Sequence, residues 1–212
     1  MLGNAKGTAH MVGPRTLGLP LSAEDVLSLK TGDTVLLNGP LVTGRDKVHK
    51  YLVEKKPQKA DIPFELAGSV MYHCGPIMRK TDTGFTVVAA GPTTSIRVEM
   101  YEAEVIRQYG LRGIMGKGGM GENTLRAMQE AGCVYLHTIG GAAAYLADRI
   151  KRTLDVWKLE EFGTTEAMWR FEVESFPAIV TMDAHGNSMH KEIEQESFRR
   201  FSELIRGPQQ NS

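Results

Sequence analysis

Residues 111–140, LRGIMGKGGMGENTLRAMQEAGCVYLHTIG, contain two short apolar runs that flank an amphipathic segment. The runs LRGIMG and CVYLHTIG are typical of buried strands, and ENTLRAMQEAG between them has the apolar spacing of a helix that ends at a glycine. A strand, a helix and a second strand in this order predict a β-α-β unit, whose two strands lie parallel. This segment therefore predicts an α/β fold.

The flanking sequence extends this pattern in both directions. Toward the N-terminus the chain is β-rich. Three apolar runs predict strands, and the last two look like a hairpin: TVLLNGPLVTG, SVMYHCGPIM and FTVVAAG. Two segments predict helices: DKVHKYLVEKK and TSIRVEMYEAEVIRQYG. Toward the C-terminus, AAAYLADRIKR predicts a helix, and residues 169–190 predict two strands with a turn at 183–187. A polar helix to about Arg206 follows.

These elements predict one α/β domain over residues 20–206, with a β-rich first half and β-α-β units in the second half, a flexible arm at residues 1–19 and a flexible tail at residues 207–212. The chain has 25 Lys+Arg and 25 Asp+Glu, which disfavours a polybasic nucleic-acid-binding protein. The sequence has no run of 18 apolar residues that would predict a membrane span, and its first residues do not resemble a signal peptide. We therefore expect a cytoplasmic protein that binds neither nucleic acid nor membrane.

Residues 91–97, GPTTSIR, follow a predicted strand and begin a predicted helix. Thr93 and Thr94 lie where helix N–H groups lack partners, and N-capping alone would explain their hydroxyls. Arg97 does not fit that explanation, because a cation in the first turn opposes the helix dipole. An anion bound there would account for the arginine, since a carboxylate suits a guanidinium group.

Residues 116–121, GKGGMG, match the pattern G-x-G-x-x-G between a strand and a helix. The acidic residue that would hold a ribose is missing after the next strand, which disfavours a dinucleotide site. What remains is a glycine-rich loop that presents Lys117, with Gly118 and Gly119 allowing a ligand close to the backbone. A plain flexible turn with a solvated lysine is the alternative.

Residues 43–49, TGRDKVH, begin another predicted helix, for which Asp46 is a good N-cap and His49 lies one turn on. A capped helix with a surface histidine is the alternative. Asp46 and His49 alone are too few ligands for a metal, so we expect no metal site in this chain. If Arg45, Arg97 and Lys117 converge, they would bind a small dianion.

Several ordered motifs, covering about Leu21 to Lys191, together resemble the iron–sulfur-dependent class I fumarases and L-tartrate dehydratases, specifically their β subunit or C-terminal domain. They are TGRDxxH at 43–49, HxGP at 73–76, GPTTSIR at 91–97, GKGG at 116–119, IGGAA at 139–143 and WRFEVESFPA at 169–178. The resemblance implies a swivelling β/β/α domain in a reversible hydro-lyase that hydrates fumarate to L-malate.

The resemblance also implies residue roles. Thr93 matches the catalytic base, Lys117 a lysine on the substrate side, and Arg45 and Arg97 the arginines that grip the substrate carboxylates. Thr94 is a further substrate contact, and the supporting residues are Asp46, His49, Gly118 and Gly119.

The two cysteines, Cys74 and Cys133, are too few to hold a [4Fe–4S] cluster. The resemblance implies that a partner α subunit holds the cluster, in an α2β2-type or homo-oligomeric assembly that acts on a small dicarboxylate. IGGA and FPA favour fumarate, whereas TTSIR and GKGGMG are closer to the tartrate dehydratase pattern. An L-tartrate dehydratase β subunit and a non-catalytic ligand-binding or assembly domain are the alternatives.

Overall fold

Strands and helices alternate along residues 13–206, the part of the chain that this computed structural model describes. The strands are β1 (Arg15–Gly18), β2 (Thr34–Thr43), β3 (Val70–Tyr72), β4 (Ile77–Thr81), β5 (Gly84–Ala89), β6 (Gly113–Gly116), β7 (Val134–His137), β8 (Ile150–Trp157) and β9 (Met168–Met182). The helices are α1 (Ala23–Ser28), α2 (Asp46–Lys55), α3 (Glu99–Tyr109), α4 (Glu122–Ala131), α5 (Ala143–Asp148), α6 (Leu159–Phe162) and α7 (Met189–Arg206). Short 3-10 turns occupy Lys59–Asp61 and Ser95–Val98.

Seven strands form one sheet in the order β1-β2-β3-β6-β7-β9-β8, and β4 and β5 form a separate hairpin. The pairs β1–β2, β2–β3, β3–β6 and β6–β7 are parallel, whereas β9 runs antiparallel to β2, β7 and β8. Because β9 pairs with both β2 and β7, the pairings close a ring through β2, β3, β6, β7 and β9. The carboxyl ends of β2, β3, β6 and β7 therefore lie at one edge of this ring.

Alternate residues of the short central strands face two different apolar clusters. In β3, Val70 and Tyr72 pack in one cluster with Trp169 and Phe171 of β9, while Met71 packs in the other. The second cluster lies under α2, α3 and α4. This two-residue alternation places helices on one side of the central strands and the β9 aromatic side chains on the other.

The β-α-β prediction for residues 111–140 is confirmed, with parallel β6 and β7 joined by α4. The hairpin is confirmed for β4 and β5, whereas β3 from the same predicted run joins the main sheet. The helix predicted over residues 142–152 is wrong beyond Asp148, since Ile150–Trp157 form β8. Pairing with β9 overrides the local pattern there.

Two strands were predicted over residues 169–190, but the structure has one long strand there, β9, which begins at Met168 and ends at Met182. The turn at 183–187 is confirmed, and beyond it only an isolated bridge pairs Ser188 with Met182 among the described residues. Arg15–Gly18 pair with β2, so the expected flexible arm does not hold for these residues. The rest of the predicted arm up to residue 12, and the predicted tail at 207–212, lie outside the described residues.

Within residues 13–206, no helix has both the length and the apolar character needed to span a bilayer.

Candidate functional site

The predicted site residues lie on loops that follow the carboxyl ends of the parallel strands. Arg45 follows β2, and Lys117 follows β6. Residues 93–95 run between them, because Thr93 N–H donates to the His73 carbonyl at 2.7 Å and Ser95 N–H donates to the Lys117 carbonyl at 3.0 Å. Ligands of open parallel sheets commonly bind at this edge. The loops predicted from separate motifs are therefore brought together.

Arg45 and Arg97 both lie near one oxygen of the Asp46 carboxylate. Arg97 Nη2 donates to Asp46 Oδ2 at 2.6 Å, and Arg45 Nη2 lies 3.9 Å from the same oxygen. Arg45 Nε also lies 3.4 Å from Glu166 Oε1, and the other oxygen of Glu166 accepts the Lys47 N–H at 3.1 Å. The prediction of Asp46 as the N-cap of α2 is wrong: Asp46 is the first residue within the helix, Arg45 is the N-cap, and the Asp46 carboxylate accepts a hydrogen bond from Arg97. Two guanidinium groups are thereby held close together.

Thr93, Thr94 and Lys117 lie on paired backbone segments. The Thr93 hydroxyl donates to the His73 carbonyl at 3.0 Å, which fixes the position of the oxygen. Lys117 N–H donates to the Thr93 carbonyl at 3.3 Å, and Thr94 forms a parallel bridge with Lys117. Thr93 and Lys117 are half-buried, and Thr94 is exposed. Thr94 and Lys117 thus lie side by side on paired segments, with Thr93 next to them in the chain.

Gly118 and Gly119 have φ angles of 84° and 75°, in the left-handed region that favours glycine. A Cβ on Gly119 would also collide with the His190 ring. The loop is held at its end by Glu99, which accepts the Gly121 N–H at 2.7 Å and caps the start of α4. The glycines are therefore required by the shape of this loop.

Below the surface groups lies a fully buried cluster of His49, His73 and Glu102. The Nε2 atoms of both histidines lie 3.0 Å from Glu102 Oε2. His73 Nδ1 lies 2.9 Å from Ser95 Oγ, which in turn lies 2.8 Å from the Tyr135 hydroxyl. This chain of contacts joins α2, β3 and α3 to the two loops of the candidate site. We refer to His49, His73 and Glu102 as the His–Glu cluster.

The ionisable groups of this cluster shift one another. Burial by itself raises the pKa of Glu102, but the two histidines lower it to about 2, so the carboxylate is ionised at neutral pH. Burial lowers the pKa of His73 below its usual range despite the nearby Glu102. For His49 burial also lowers the pKa, but the charge of Glu102 outweighs it and raises the pKa on balance.

The cysteines of this chain do not suit an iron–sulfur cluster. Cys74 and Cys133 are its only cysteines, and both are free and buried. Burial raises the pKa of the Cys74 thiol to about 12 and raises that of Cys133 as well, which opposes the thiolate form that iron requires. An iron–sulfur cluster next to this chain would have to be held by cysteines from elsewhere.

Of the nine predicted site residues, seven are exposed or half-buried at this edge of the sheet, and two are buried. Arg45, Asp46, Thr93, Thr94, Arg97, Lys117 and Gly118 lie together, whereas His49 is fully buried below them and is not a surface histidine. Gly119 lies beside them and is buried.

Sequence reasoning missed the residues that hold this surface from below and behind. His73 was noted only as part of the HxGP motif, and Tyr135 only as part of an apolar strand. These missed residues are His73, Ser95, Glu99, Glu102, Tyr135 and Glu166.

Comparison with known proteins defines the class to which this fold and site belong. The family described as "Fumarase C-terminus" matches residues 8–193, and the chain therefore belongs to this family.

Particular relatives carry two different names. The chain is 50% identical over 190 residues to "Putative fumarate hydratase class I" of Geobacillus stearothermophilus, with 89% of this chain and 36% of that protein covered. It is 42% identical over 186 residues to "Putative L(+)-tartrate dehydratase subunit beta" of Methanocaldococcus jannaschii, covering 87% of this chain and 95% of that protein. It is 38% identical over 178 residues to "L(+)-tartrate dehydratase subunit beta" of Escherichia coli K12, covering 82% of this chain and 86% of that protein. The chain thus spans about a third of the Geobacillus relative and most of the other two.

Proposed function

We propose that this chain is the β subunit, or the equivalent domain, of a hydro-lyase that interconverts fumarate and L-malate. The observation that carries the proposal is the convergence of Arg45, Arg97, Thr93 and Lys117 at one edge of the sheet. Two arginines and a lysine suit the two carboxylates of a four-carbon dicarboxylate. Names of relatives that include fumarate hydratase support this reaction class.

The two arginines are the proposed carboxylate clamp. Arg45 Nε lies 3.4 Å from Glu166 Oε1, an ion pair that favours one placement of the guanidinium beside the proposed substrate. Arg97 is half exposed and is oriented by its 2.6 Å contact with Asp46. A substrate carboxylate that replaces Asp46 as the partner of Arg97 would gain a paired guanidinium without a new charge being buried. Thr94, next to Lys117 on the surface, is the proposed additional substrate contact.

Thr93 is the proposed base that removes a proton from C3 of L-malate. A threonine hydroxyl is a poor base near neutral pH, so its alkoxide needs nearby positive charge. Lys117, on the paired segment, is the proposed source of that charge. The base role also requires the Thr93 hydroxyl to leave the His73 carbonyl, since an alkoxide is repelled by a carbonyl oxygen. A substrate bound between Thr93 and the two arginines would replace the His73 carbonyl as the group that faces the Thr93 oxygen.

A partner α subunit is part of the proposal. Arg97 is 51% exposed, and fixed charges act most strongly on a reaction in a site from which water is excluded. We infer that the α subunit covers this face, that it carries the [4Fe–4S] cluster, and that this chain moves relative to it as a swivelling β/β/α domain. An α2β2-type or homo-oligomeric assembly and a cytoplasmic location complete the proposal.

L-tartrate is the second candidate substrate, and its product would be oxaloacetate. Relatives named as tartrate dehydratase β subunits are 42% and 38% identical to this chain and align over most of their own length. The TTSIR and GKGGMG segments also follow that pattern more closely, since many fumarases have alanine–glycine and an asparagine there. The two substrates share both carboxylates, so the same arginine clamp serves either one.

Co-expression with an α-subunit candidate, followed by anaerobic cluster reconstitution, tests the proposal. We expect the complex to hydrate fumarate, measured by loss of its ultraviolet absorbance, at a rate well above its rate on tartrate isomers. Faster dehydration of L-tartrate would transfer the assignment to the second candidate. Activity on neither substrate with a fully loaded cluster would contradict the proposal and favour a non-catalytic binding or assembly domain.

A further inference from the structure

We propose that the His–Glu cluster is a binding site for one divalent transition-metal ion, held by His49 Nε2, His73 Nε2 and the Glu102 carboxylate. The three donor atoms all lie within 4.8 Å of one another. All three side chains are at most 2% exposed. Two imidazoles and a carboxylate are a common ligand set for zinc and for ferrous iron. This proposal is independent of the reaction proposed above.

The two nitrogen–oxygen separations within the cluster fit a shared metal ion. Nitrogen and oxygen ligands at about 2.0–2.2 Å from one metal, at angles between about 90° and 110°, are roughly 2.8–3.6 Å apart. The two observed Nε2–Oε2 separations are both 3.0 Å. Imidazoles that bind one zinc tetrahedrally have ring centres roughly 5 Å apart, and the two rings here are 5.1 Å apart.

Direct hydrogen bonds account less well for the same contacts. Neither Nε2 atom and neither oxygen of Glu102 has a hydrogen bond of acceptable geometry among the described residues, although all four atoms are buried. A buried polar atom without a partner costs about 1–3 kcal/mol, and more for a charged group. At 3.0 Å the Nε2–H bonds point too far from the carboxylate to satisfy it, whereas a metal ion located off the Nε2–Oε2 lines binds all three groups.

The outer nitrogen of each histidine has a polar neighbour, as metal-binding histidines usually do. His49 Nδ1 lies 2.8 Å from the Arg45 carbonyl, which can only accept, so this nitrogen carries the proton and leaves a lone pair on Nε2. His73 Nδ1 lies 2.9 Å from Ser95 Oγ. Such outer partners fix the tautomer and the ring direction of metal ligands. The Glu102 carboxylate is the anionic ligand of the set.

The location gives the ion a structural role beneath the candidate site. His49 lies on α2, which begins beside Arg45; His73 follows β3 and its carbonyl binds Thr93; and Glu102 lies on α3, which follows Arg97. One ion would therefore tie together the three segments that present the surface groups. The sequence predicted no metal in this chain because His49 had no third ligand nearby; the topology brings two further ligands to it.

The test uses the full chain expressed without its α partner, so that cluster iron does not contribute to the metal content. The chain is purified without nickel resin, and one portion is unfolded in guanidinium with EDTA and refolded with Zn²⁺, Fe²⁺ (anaerobically) or Co²⁺. After gel filtration, we expect inductively coupled plasma mass spectrometry to find about one metal ion per chain. The Co²⁺ form should show d–d absorption bands and no thiolate charge-transfer band, because no cysteine is among the ligands.

Variants distinguish this site from adventitious binding elsewhere. Glu102→Gln and His73→Gln should each lose the stoichiometric ion, whereas His190→Gln, a matched change at a histidine that contacts Thr181, should retain it. Wild-type chain that folds with less than about 0.1 ion, both as isolated and after refolding with each metal, would overturn the proposal. So would a full equivalent that survives in folded Glu102→Gln. The wild-type measurement decides the question even if the variants fail to fold.

Discussion

Replacing Gly75 by alanine should weaken substrate binding through Arg45 without changing any charged group. A Cβ built on Gly75 lies 2.8 Å from Arg45 Cδ and 2.7 Å from the Thr165 carbonyl oxygen, and closer still to Arg45 Nη1. Optimal separations between carbon atoms are about 3.5–4.0 Å. The Arg45 side chain must therefore move by roughly 1 Å, and the backbone of Gly75 or Thr165 must also shift, because moving Arg45 does not relieve the contact with the Thr165 carbonyl.

The size of the effect follows from this displacement. Hydrogen bonds to a charged group contribute about 1.5–3 kcal/mol, which corresponds to a loss of roughly 10- to 150-fold in kcat/KM if the guanidinium no longer meets the carboxylate. We expect most of the loss in KM. Overpacking of this kind costs about 1–3 kcal/mol of stability, and the reduced freedom of the unfolded chain offsets part of that cost. The folded variant should therefore remain available for assay.

The assay is steady-state kinetics of the reconstituted complex, with Gly140→Ala as the matched control. A Cβ on Gly140 lies 3.6 Å from Lys117 Cδ, an ordinary contact, so this variant should stay within about twofold of wild type. In an Arg45→Ala background, Gly75→Ala should have no further effect, because both changes remove the same interaction. An unchanged kcat/KM in Gly75→Ala, or an undiminished loss in the Arg45→Ala background, would refute the reasoning.

Three further changes test other contacts of the structure. Ser95→Ala removes the buried hydroxyl between His73 and Tyr135, and should lower the free energy of unfolding in urea by about 2–4 kcal/mol; a loss below about 0.5 kcal/mol would show that the hydroxyl is not needed there. Arg97→Lys keeps the charge but not the planar fork, so kcat/KM should fall roughly 10- to 100-fold while stability changes by less than about 1 kcal/mol, as the ion pair is exposed; equal kcat/KM would remove Arg97 from the clamp. Burial by itself raises the pKa of Asp183, but hydrogen bonds from Asn187 and from backbone N–H groups lower it on balance, so its stabilising effect is present at neutral pH and disappears as the pH falls. Asp183→Asn should therefore be about 1–2 kcal/mol less stable than wild type at neutral pH, with the gap narrowing under acidic conditions; a gap that does not depend on pH would contradict this.

The elements that the sequence predicted correctly are those with a strong local pattern. Strands β6 and β7 and helix α4 combine short apolar runs with glycine ends, and α3 ends at Gly110 in the left-handed conformation. Strand β8 was missed because its side chains are mostly half-buried and its order depends on pairing with β9. That pairing is a tertiary interaction, which local propensity does not encode.

The candidate site shows the same division between local and distant information. Loops with Thr93, Arg97 and Lys117 were predicted because glycine, hydroxyl and basic residues stand at the ends of strands. The groups that support them from below come from distant parts of the chain. Glu102 occupies an ordinary buried position of α3, and Glu166 lies in the loop before β9, so neither carries a sequence signal of its contact with the site. Only the closure of the sheet brings them there.

The turnover of Thr93→Ala in the reconstituted complex tests most directly the claim that this chain supplies the catalytic base. General-base removal typically costs about 10²- to 10⁴-fold in rate, so we expect kcat for dehydration of L-malate to fall by at least about 100-fold with KM changed only a few-fold. Thr83→Ala, on the turn between β4 and β5, should match wild type. A Thr93→Ala complex with near wild-type kcat would contradict the account.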